Sequence, residues 1–227
     1  MKSVKRIFTY LFLTCASIIS IFPFFWMIIS ATNKSVDVSK GRLFPGSHLI
    51  ENFKNLIETV DIAQALTNSA IISVTTTVLS LVIASLAGYG FEVYRSKAKD
   101  IVFNILLISM MIPFAALMVP LYRMFGSLSQ VAPFMGMDTL VSVMLPTITT
   151  AFLIFFFRQN TKMFSRELIE AGRIDGLSEL GIFFRIYMPT MKTAYAAAAI
   201  ITFMNSWNNY LWPLAFRTLP GYKCRDG

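Results

Sequence analysis

Residues 158–192 read RQNTKMFSRELIEAGRIDGLSELGIFFRIYMPTMK, a polar and charged segment between two long apolar runs. The rest of the chain is strongly apolar, because 56% of its 227 residues are hydrophobic and only 14% are charged. That composition is typical of a polytopic membrane protein and excludes an ordinary soluble domain. We therefore expect a membrane-embedded chain with one organised loop that contacts a component outside the lipid.

Charged residues separate five apolar runs, four before this loop and one after it. Each run is near the length of about 20 residues that a helix needs to cross a hydrocarbon core of about 30 Å. Lipid offers no partner for backbone N–H and C=O groups, so the spans should be helices, and the runs are too uniformly apolar for barrel strands. The sequence predicts an all-α polytopic membrane protein with transmembrane helices at 7–33, 62–91, 101–122, 139–157 and 193–216.

We divide the chain into 1–66, the first helix with an extracytoplasmic segment, and 67–227, a transmembrane domain that carries the loop at 158–192. The positive charges set the orientation, because cytoplasmic loops of membrane proteins are enriched in Lys and Arg. The N-terminus, the connection at 92–100 and the loop at 158–192 hold 12 of the 20 Lys and Arg residues, and the opposite side holds 8. We therefore expect the N-terminus and the loop to be cytoplasmic. The net charge of +8 fits this topology and attraction to anionic lipid, and does not indicate nucleic-acid binding.

The loop itself is predicted to form two short helices joined by a tight turn. Ser165 is a suitable N-cap for the first helix, and Asp175-Gly176 ends it, since glycine adopts the left-handed conformation at helix C-termini. Ser178 then caps a second helix, which Pro189 ends. The second helix has an apolar stripe too broad for the hairpin to bury against itself, formed by Leu177, Leu180, Phe183, Phe184, Ile186 and Tyr187. This stripe needs a partner surface.

The spacing of residues in the loop resembles the EAA loop of ABC importer permeases. Five positions match the family pattern, whereas Gly172 replaces its second alanine and Met188 its leucine. The matching positions are Glu170, Ala171, Gly176, Ile186 and Pro189. The resemblance continues more weakly at 68–69, 87–91 and 205–213, and it is nearest to the carbohydrate-uptake, maltose-type subfamily.

The resemblance implies that the loop contains a coupling helix that docks into a cytoplasmic ATPase. The residues assigned to this contact are Glu170, Ala171, Gly172, Asp175, Gly176, Phe183, Phe184, Ile186 and Pro189. The alternative is a hairpin packed beneath its own transmembrane helices, with solvated charges. For Asp175 alone, turn formation is favoured over partner contact.

The chain has no GxxxxGK[ST] phosphate loop, so a nucleotide site of that type has to come from another subunit, which would bind ATP and Mg²⁺. The resemblance further implies a second permease, an extracytoplasmic solute-binding protein, a bacterial inner-membrane location and transport of a sugar or related solute. We expect no catalytic residues, no cofactor of the chain's own and no metal site. His48 is its only histidine, and the predicted depths of Cys15 and Cys224 are too different for a disulfide.

Two groups of polar residues are candidates for a translocation path. In the second span, Ser73, Thr77 and Ser80 recur at helical spacing, and a seam of close packing is favoured over a cavity lining. In the fifth span, amides suited to sugar hydroxyls lie among aromatic residues, which favours an interfacial belt slightly over solute contact. These amides belong to Asn205, Asn208 and Asn209, and the aromatic residues are Trp207, Tyr210 and Trp212.

Three further expectations concern the remaining segments. The end of the segment at 32–66 is amphipathic, and suits either reception of a binding protein or a membrane-surface helix. The stretch at 123–137 is predicted to be a simple connector. Permeases of this family have six helices, so we expect this chain, with five, to be C-terminally truncated at Gly227.

The predicted function is therefore an importer permease subunit without enzymatic activity of its own. The alternative from another class is a membrane scaffold or sensor that recruits a cytoplasmic partner through the same hairpin and transports nothing. A secondary carrier is disfavoured, because the predicted spans contain no acidic or basic residues.

Overall fold

The computed structural model describes residues 2–137 and 139–215, and every regular element in these ranges is helical. This confirms the all-α prediction. The described residues fall into two units, 2–62 and 63–215, which are treated separately below. Cys224 and the truncation expected at Gly227 lie outside the described residues.

The first unit contains α1 (Lys2–Ala31), α2 (Ser35–Ser39) and α3 (Leu49–Thr59). At 1.5 Å per residue, the 30 residues of α1 are long enough to cross a bilayer, and almost all of its described apolar side chains are exposed. Asn33 and Asn52 fix the chain after α1, because each side-chain amide donates to two backbone carbonyls at 2.9 to 3.0 Å. The amphipathic helix predicted near the end of this segment is α3, whose apolar side chains are exposed.

The second unit is built around the 32-residue helix α4, followed by shorter helices. In chain order these are α4 (Ile62–Val93), α5 (Lys97–Ser109), α6 (Phe114–Val131), α7 (Leu140–Ile148), α8 (Ala151–Thr161), α9 (Arg166–Ile174), α10 (Glu179–Ile182), α11 (Met188–Thr190), α12 (Lys192–Trp207) and α13 (Leu211–Ala215). Within the described ranges, α1 and α4 are long and apolar enough to span a membrane. The number rises to four if α5–α6 and α7–α8 are each one bent span.

The predicted third span, 101–122, is not a single straight helix, because α5 and α6 meet at 100°. The break lies at Pro113, which has no N–H for the preceding turn and disfavours helical geometry in the residue before it. The predicted connector at 123–137 was also wrong over most of its length, since α6 continues to Val131. Phe125 explains the extension, because its fully buried ring packs in the core of this unit.

The two later predicted spans are interrupted as well. The helices α7 and α8 are bent by 42°, and α8 restarts at Thr150, whose hydroxyl accepts a hydrogen bond from the Leu153 N–H at 3.3 Å. The helix α12 has 16 residues, fewer than the roughly 20 that cross a bilayer, and non-helical residues separate it from α13.

Three buried clusters follow α4 along its length. The first contains Ile72, Phe125, Val143 and Trp212; the second contains Ala84, Phe103, Leu153, Ile154, Phe157 and Ala198; the third contains Tyr89, Phe164, Ile169, Ile182, Phe183 and Tyr187. The third cluster joins the end of α4 to the loop at 158–192, and so positions the candidate site.

Candidate functional site

The loop at 158–192 contains a helical hairpin, residues 166–190, whose first arm is α9 and whose second arm runs from α10 to α11. Its turn is built as the sequence predicts. Gly176 has φ +79°, the left-handed conformation. Its N–H donates to the Arg173 carbonyl at 3.1 Å, and the Leu177 N–H donates to the Gly172 carbonyl at 2.9 Å. This pair of bonds is the Schellman ending of a helix, which satisfies carbonyls that α9 leaves unpaired. The turn therefore fixes the angle between the two arms of the hairpin.

The predicted caps have different outcomes. The Ser178 hydroxyl accepts a hydrogen bond from the Gly181 N–H at 3.2 Å, which confirms it as the cap of the second arm. Ser165 occupies the N-cap position of α9, but its side chain makes no capping hydrogen bond. The first arm is therefore held by packing and by its turn rather than by its N-cap.

The predicted end of the second arm at Pro189 was wrong. A π-helical turn at Phe183–Tyr187 leads directly into α11, and Pro189 lies in the first turn of that helix. A π-helical turn is wider than an α-helical turn, so the helix continues through Pro189 although proline has no N–H to donate. The second arm ends instead at Met191, immediately before α12.

The two arms of the hairpin pack closely against each other, and Gly172 lies at their contact. A Cβ atom at Gly172 would lie 2.8 Å from Ile186 Cδ1 and 3.0 Å from Ile182 Cγ1, so the two arms touch where the family pattern has alanine. Phe183 is 1% exposed, and its ring centroid lies 5.4 Å from that of Tyr89. Phe183 thus packs inside the molecule and offers no surface to a partner, which corrects its assignment as a docking residue.

The other predicted docking residues divide between surface and packing positions. Ile186 is partly buried against the first arm, and Gly172 is buried. Around the turn, Ile174 is 86% exposed and Leu180 is 63% exposed. The remaining predicted residues are also exposed, namely Glu170, Ala171, Asp175, Gly176, Phe184 and Pro189. The hairpin therefore presents a carboxylate and several apolar side chains to solvent.

A polar contact that the sequence did not predict ties the hairpin to the end of α4. The Tyr94 hydroxyl donates a hydrogen bond to the Glu179 carboxylate, which also accepts one from Arg173 Nε at 2.8 Å. The hydrogen bonds from Arg173 and then Tyr94 hold the pKa of Glu179 below its ordinary value. Burial, and then the bond to Glu179, raises the pKa of the Tyr94 phenol. Glu179 is therefore ionised and Tyr94 protonated at neutral pH.

A second unpredicted feature is an ion network at the ends of α4, α5 and α8. Arg158 is 5% exposed, and its Nε lies 3.3 Å from Glu92 while its Nη2 lies 2.5 Å from Asp100. Its guanidinium also lies over the Phe103 ring, 4.1 Å from the centroid. Two carboxylates on one guanidinium leave a negative charge, which Arg95 offsets at 3.6 Å from Glu92. The only sequence signal was the position of these charges at the ends of apolar runs.

The polar stripe on α4 lies in the packed interior of the second unit. Ser73, Thr77 and Ser80 are all buried, and the Thr77 hydroxyl donates to the Ser73 carbonyl at 2.6 Å. The hydroxyls of Ser73 and Ser80 have no hydrogen-bond partner in the described part of the chain. Their burial favours the packing interpretation of this stripe over a cavity lining.

A small cavity of about 110 Å³ lies between α4, the break at α7–α8, and α12. Its polar lining consists of Thr76, Thr147, Thr150, Thr202, Asn205 and Ser206. Of the predicted path residues, Asn205 is the one in this lining.

The other two asparagines shape the break between α12 and α13. The Asn208 amide donates to the Met204 carbonyl at 2.9 Å, and Asn209 Oδ1 accepts from the Trp212 N–H at 3.4 Å. Trp212 is fully buried and donates from Nε1 to the Ser142 carbonyl at 3.1 Å. The belt interpretation was therefore wrong for Trp212, which belongs to the core.

Across residues 2–137 and 139–215, no group of three or more His, Cys, Asp or Glu side chains is placed to hold a metal ion.

Comparison with known sequences identifies relatives over most of the chain. It is 44% identical to the lactose transport system permease protein LacG of Rhizobium radiobacter over 213 residues, which is 94% of this chain and 76% of the relative. It is 36% identical to the arabinooligosaccharides transport system permease protein AraQ of Bacillus subtilis, covering 93% and 75% of the two chains. With the sn-glycerol-3-phosphate transport system permease protein UgpE of Escherichia coli K12 the identity is 29%, covering 93% and 76%.

The fold is also known from a solved structure. A chain of a bacterial ABC transporter involved in the import of the acidic polysaccharide alginate superposes with a TM-score of 0.81, at 19% sequence identity. The match covers 97% of this chain and 76% of the other, and it shows that the two share a fold.

The family is decided by a match to residues 80–222, which include the hairpin and the ion network. The model that matches is described as the binding-protein-dependent transport system inner membrane component. With this match and the similarity to LacG, the chain belongs to the family of multi-pass inner membrane components of binding-protein-dependent transport systems.

Proposed function

We propose that this chain is a permease subunit of an ATP-driven ABC importer and forms half of the translocation pathway for a sugar or related solute. Its family and its relatives, named for lactose, arabinooligosaccharides and sn-glycerol-3-phosphate, support this function. The observation that carries it is the hairpin, whose inner face packs in a core shared with the end of α4 and whose turn still exposes a carboxylate and apolar side chains.

The exposed side of the hairpin is the proposed contact to a cytoplasmic ATPase. Glu170 makes no ion pair within the described residues, so its carboxylate is available to an arginine of the ATPase. Ile174 and Leu180 protrude on either side of Gly176, and exposed apolar side chains at an elbow gain stability when a cleft removes them from water. The rigid turn and core transmit force because they resist bending.

The proposed assembly places the ATP chemistry elsewhere. The partner ATPase subunits bind ATP and Mg²⁺, a second permease completes the pathway, and a solute-binding protein delivers the solute from the extracytoplasmic side. The N-terminus and the hairpin are cytoplasmic in this proposal, which the distribution of Lys and Arg supports. Closure and opening of the ATPase then shift the permease between outward-facing and inward-facing states.

The proposed solute path runs along α12. Asn205 lies in the hydroxyl-lined cavity, and Asn208 and Asn209 follow it at the end of the helix. The cavity is too small for a sugar in the described state, so this path requires α12 to move away from α4 and α8 during transport. Ser73, Thr77 and Ser80 supply the packed surface that such a movement would open.

The experiment that tests the docking role compares two acidic residues on α9. The chain is co-expressed with an ABC ATPase of a carbohydrate importer, and the ATPase that copurifies is quantified. Glu170→Ala is expected to lower the copurified ATPase at least about tenfold, because a hydrogen bond to a charged group is worth about 1.5 to 3 kcal/mol. Glu167→Ala, which removes an exposed carboxylate one turn earlier, should stay within about twofold of the unaltered chain.

Transport is tested separately in vesicles with labelled lactose, an arabino-oligosaccharide and glycerol 3-phosphate. Uptake of at least one of them is expected only with ATP and a binding protein. Full ATPase binding and uptake with Glu170→Ala would contradict the docking role. Binding of the ATPase without uptake of any solute would favour the scaffold alternative.

A further inference from the structure

We propose that the C-terminal end of α4 is the positioning element that carries movement of the hairpin into the rest of the second unit. Three residues form this element, called here the α4 clasp: Tyr89, Glu92 and Tyr94. The proposal rests on the proposed function, because it identifies the route by which motion of an ATPase reaches the transmembrane helices.

The α4 clasp holds the hairpin at two points. The Tyr94 hydroxyl donates a hydrogen bond to Glu179 at the start of the second arm, and Glu179 also accepts one from Arg173 on the first arm. Tyr89 packs on the inner face of the hairpin, with its ring centroid 4.8 Å from that of Tyr187. One side chain of the α4 clasp thus reaches both arms through a carboxylate, and another fills the core between them.

The α4 clasp also holds α8, through the buried ion network. Glu92 accepts from Arg158 Nε at 3.3 Å, and the same guanidinium reaches Asp100 of α5. One turn beyond Arg158, the hydroxyls of Thr161 and Tyr187 lie 2.6 Å apart, so α8 contacts the hairpin as well. The ends of α4 and α8 are therefore bound to each other and to the hairpin, which closes a triangle of three elements.

This triangle gives the hairpin a route to the other helices beside the direct one along the chain. Along the chain, the backbone passes from the hairpin to α12 through a π-helical turn and then through Met191, whose φ of −93° and ψ of 18° depart from helical geometry. At the triangle, by contrast, α4 approaches α8 so closely that a Cβ atom at Gly88 would lie 2.7 Å from the Arg158 backbone nitrogen. A displacement of the hairpin is therefore expected to move α4 and α8 together with it.

The test uses the complete importer with its ATPase, second permease and binding protein, reconstituted in vesicles. Tyr94→Phe removes only the hydroxyl, and Arg158→Lys keeps the charge but lacks the fork that reaches two carboxylates. Their controls are Tyr210→Phe and Arg166→Lys, which change exposed residues that make none of the contacts joining α4, α8 and the hairpin. Three quantities are measured: the ATPase that copurifies, ATP hydrolysis, and uptake of the labelled solute.

Tyr94→Phe and Arg158→Lys are both expected to keep the ATPase within about twofold while the solute transported per ATP hydrolysed falls at least about fivefold, with both controls unchanged. An unaltered ratio of uptake to hydrolysis in Tyr94→Phe overturns the α4 clasp, as does a parallel fall of both rates. If Arg158→Lys fails to insert into the membrane, Tyr94→Phe decides the result, because Tyr94 is solvent-accessible. Failure of the unaltered chain to retain the ATPase overturns the proposed function instead.

Discussion

The close approach of α4 to α8 at Gly88 predicts that a single methyl group at this position destabilises the protein. In Gly88→Ala, the new Cβ would lie 2.7 Å from both the Arg158 backbone nitrogen and Phe157 Cβ, and 3.0 Å from the Phe157 carbonyl carbon. Two of these atoms belong to the backbone of α8, which cannot rotate away as the end of a side chain can. The helices must therefore separate at the turn where Arg158 pairs with Glu92.

The expected magnitude follows from two opposing effects. Overpacking a close-packed interface lowers the free energy of unfolding by about 1 to 3 kcal/mol. Because the clashes here are with backbone atoms, we take the upper value of about 3 kcal/mol. Alanine is more favourable than glycine within a helix by about 1 kcal/mol. The net loss in the free energy of unfolding is about 2 kcal/mol, which lowers the melting temperature by about 4 to 8 °C at about 2 to 4 °C per kcal/mol.

The assay is thermal melting of the purified protein in detergent, in which size-exclusion chromatography measures the fraction that remains monodisperse at each temperature. The matched control is Gly90→Ala, two residues along the same helix, where a Cβ atom would meet no atom of the described residues within 4 Å. This control should melt at or slightly above the temperature of the unaltered chain. A Gly88→Ala protein as stable as the control would refute the argument, because it would mean that α4 and α8 do not touch at this turn.

Two other perturbations test the hairpin. Gly176→Ala should lower the free energy of unfolding by about 1 to 2 kcal/mol and increase cleavage of the hairpin by trypsin, because φ is +79° there although no described atom would lie within 4 Å of the new Cβ. Gly176→Asn, which tolerates this conformation better, should be cleaved at a rate between those of the unaltered chain and the alanine variant. Unchanged cleavage of the alanine variant would argue against the strained turn. Because the folded-state pKa of Glu179 is lowered, the stabilisation from its pairs is present above the unfolded value of 4.5 and is lost as pH falls through the lowered pKa. Because the folded-state pKa of Tyr94 is raised, the stabilisation from its hydrogen bond is present below the unfolded value of 10.0 and is lost as pH rises through the raised pKa. Trypsin resistance should therefore be flat from about pH 6 to 9 and fall outside this window. Glu179→Gln should abolish the acid limb, and an unchanged acid limb would show that another group is responsible.

The features of the hairpin that depend on neighbouring residues were predictable from the sequence. The left-handed turn at Gly176 and the cap at Ser178 follow from local backbone preferences that act over three or four residues. Pro189 was misassigned because a proline usually ends a helix, whereas the preceding π-helical turn accommodates it here. The apolar stripe was recognised, but periodicity does not distinguish buried Phe183 from exposed Phe184 when both lie on a broad face.

The features that the sequence did not reveal depend on residues far apart in the chain. Arg158 counts in the sequence only as one positive charge of a loop, yet it pairs with Glu92, 66 residues earlier, in the interior. Trp212 has the composition of an interfacial belt, but a hydrogen bond to the Ser142 carbonyl, 70 residues away, places it in the core. No local pattern encodes such pairs, because they form only when separate helices are brought together.

The amino-acid sequence by itself determined that this protein is helical and membrane-embedded, and that its loop at 158–192 is a hairpin of the importer permease type. The helical, membrane-embedded character and the hairpin rest on hydrophobicity, charge and local backbone geometry, which need no knowledge of the fold. The importer permease type rests instead on the resemblance of residues 170–189 to a known family pattern. Only the tertiary structure decided which hairpin residues face solvent, where the apolar runs bend, and how α4 connects the hairpin to α8. Those properties arise from packing between distant segments, since burial and pairing depend on what each side chain meets in space.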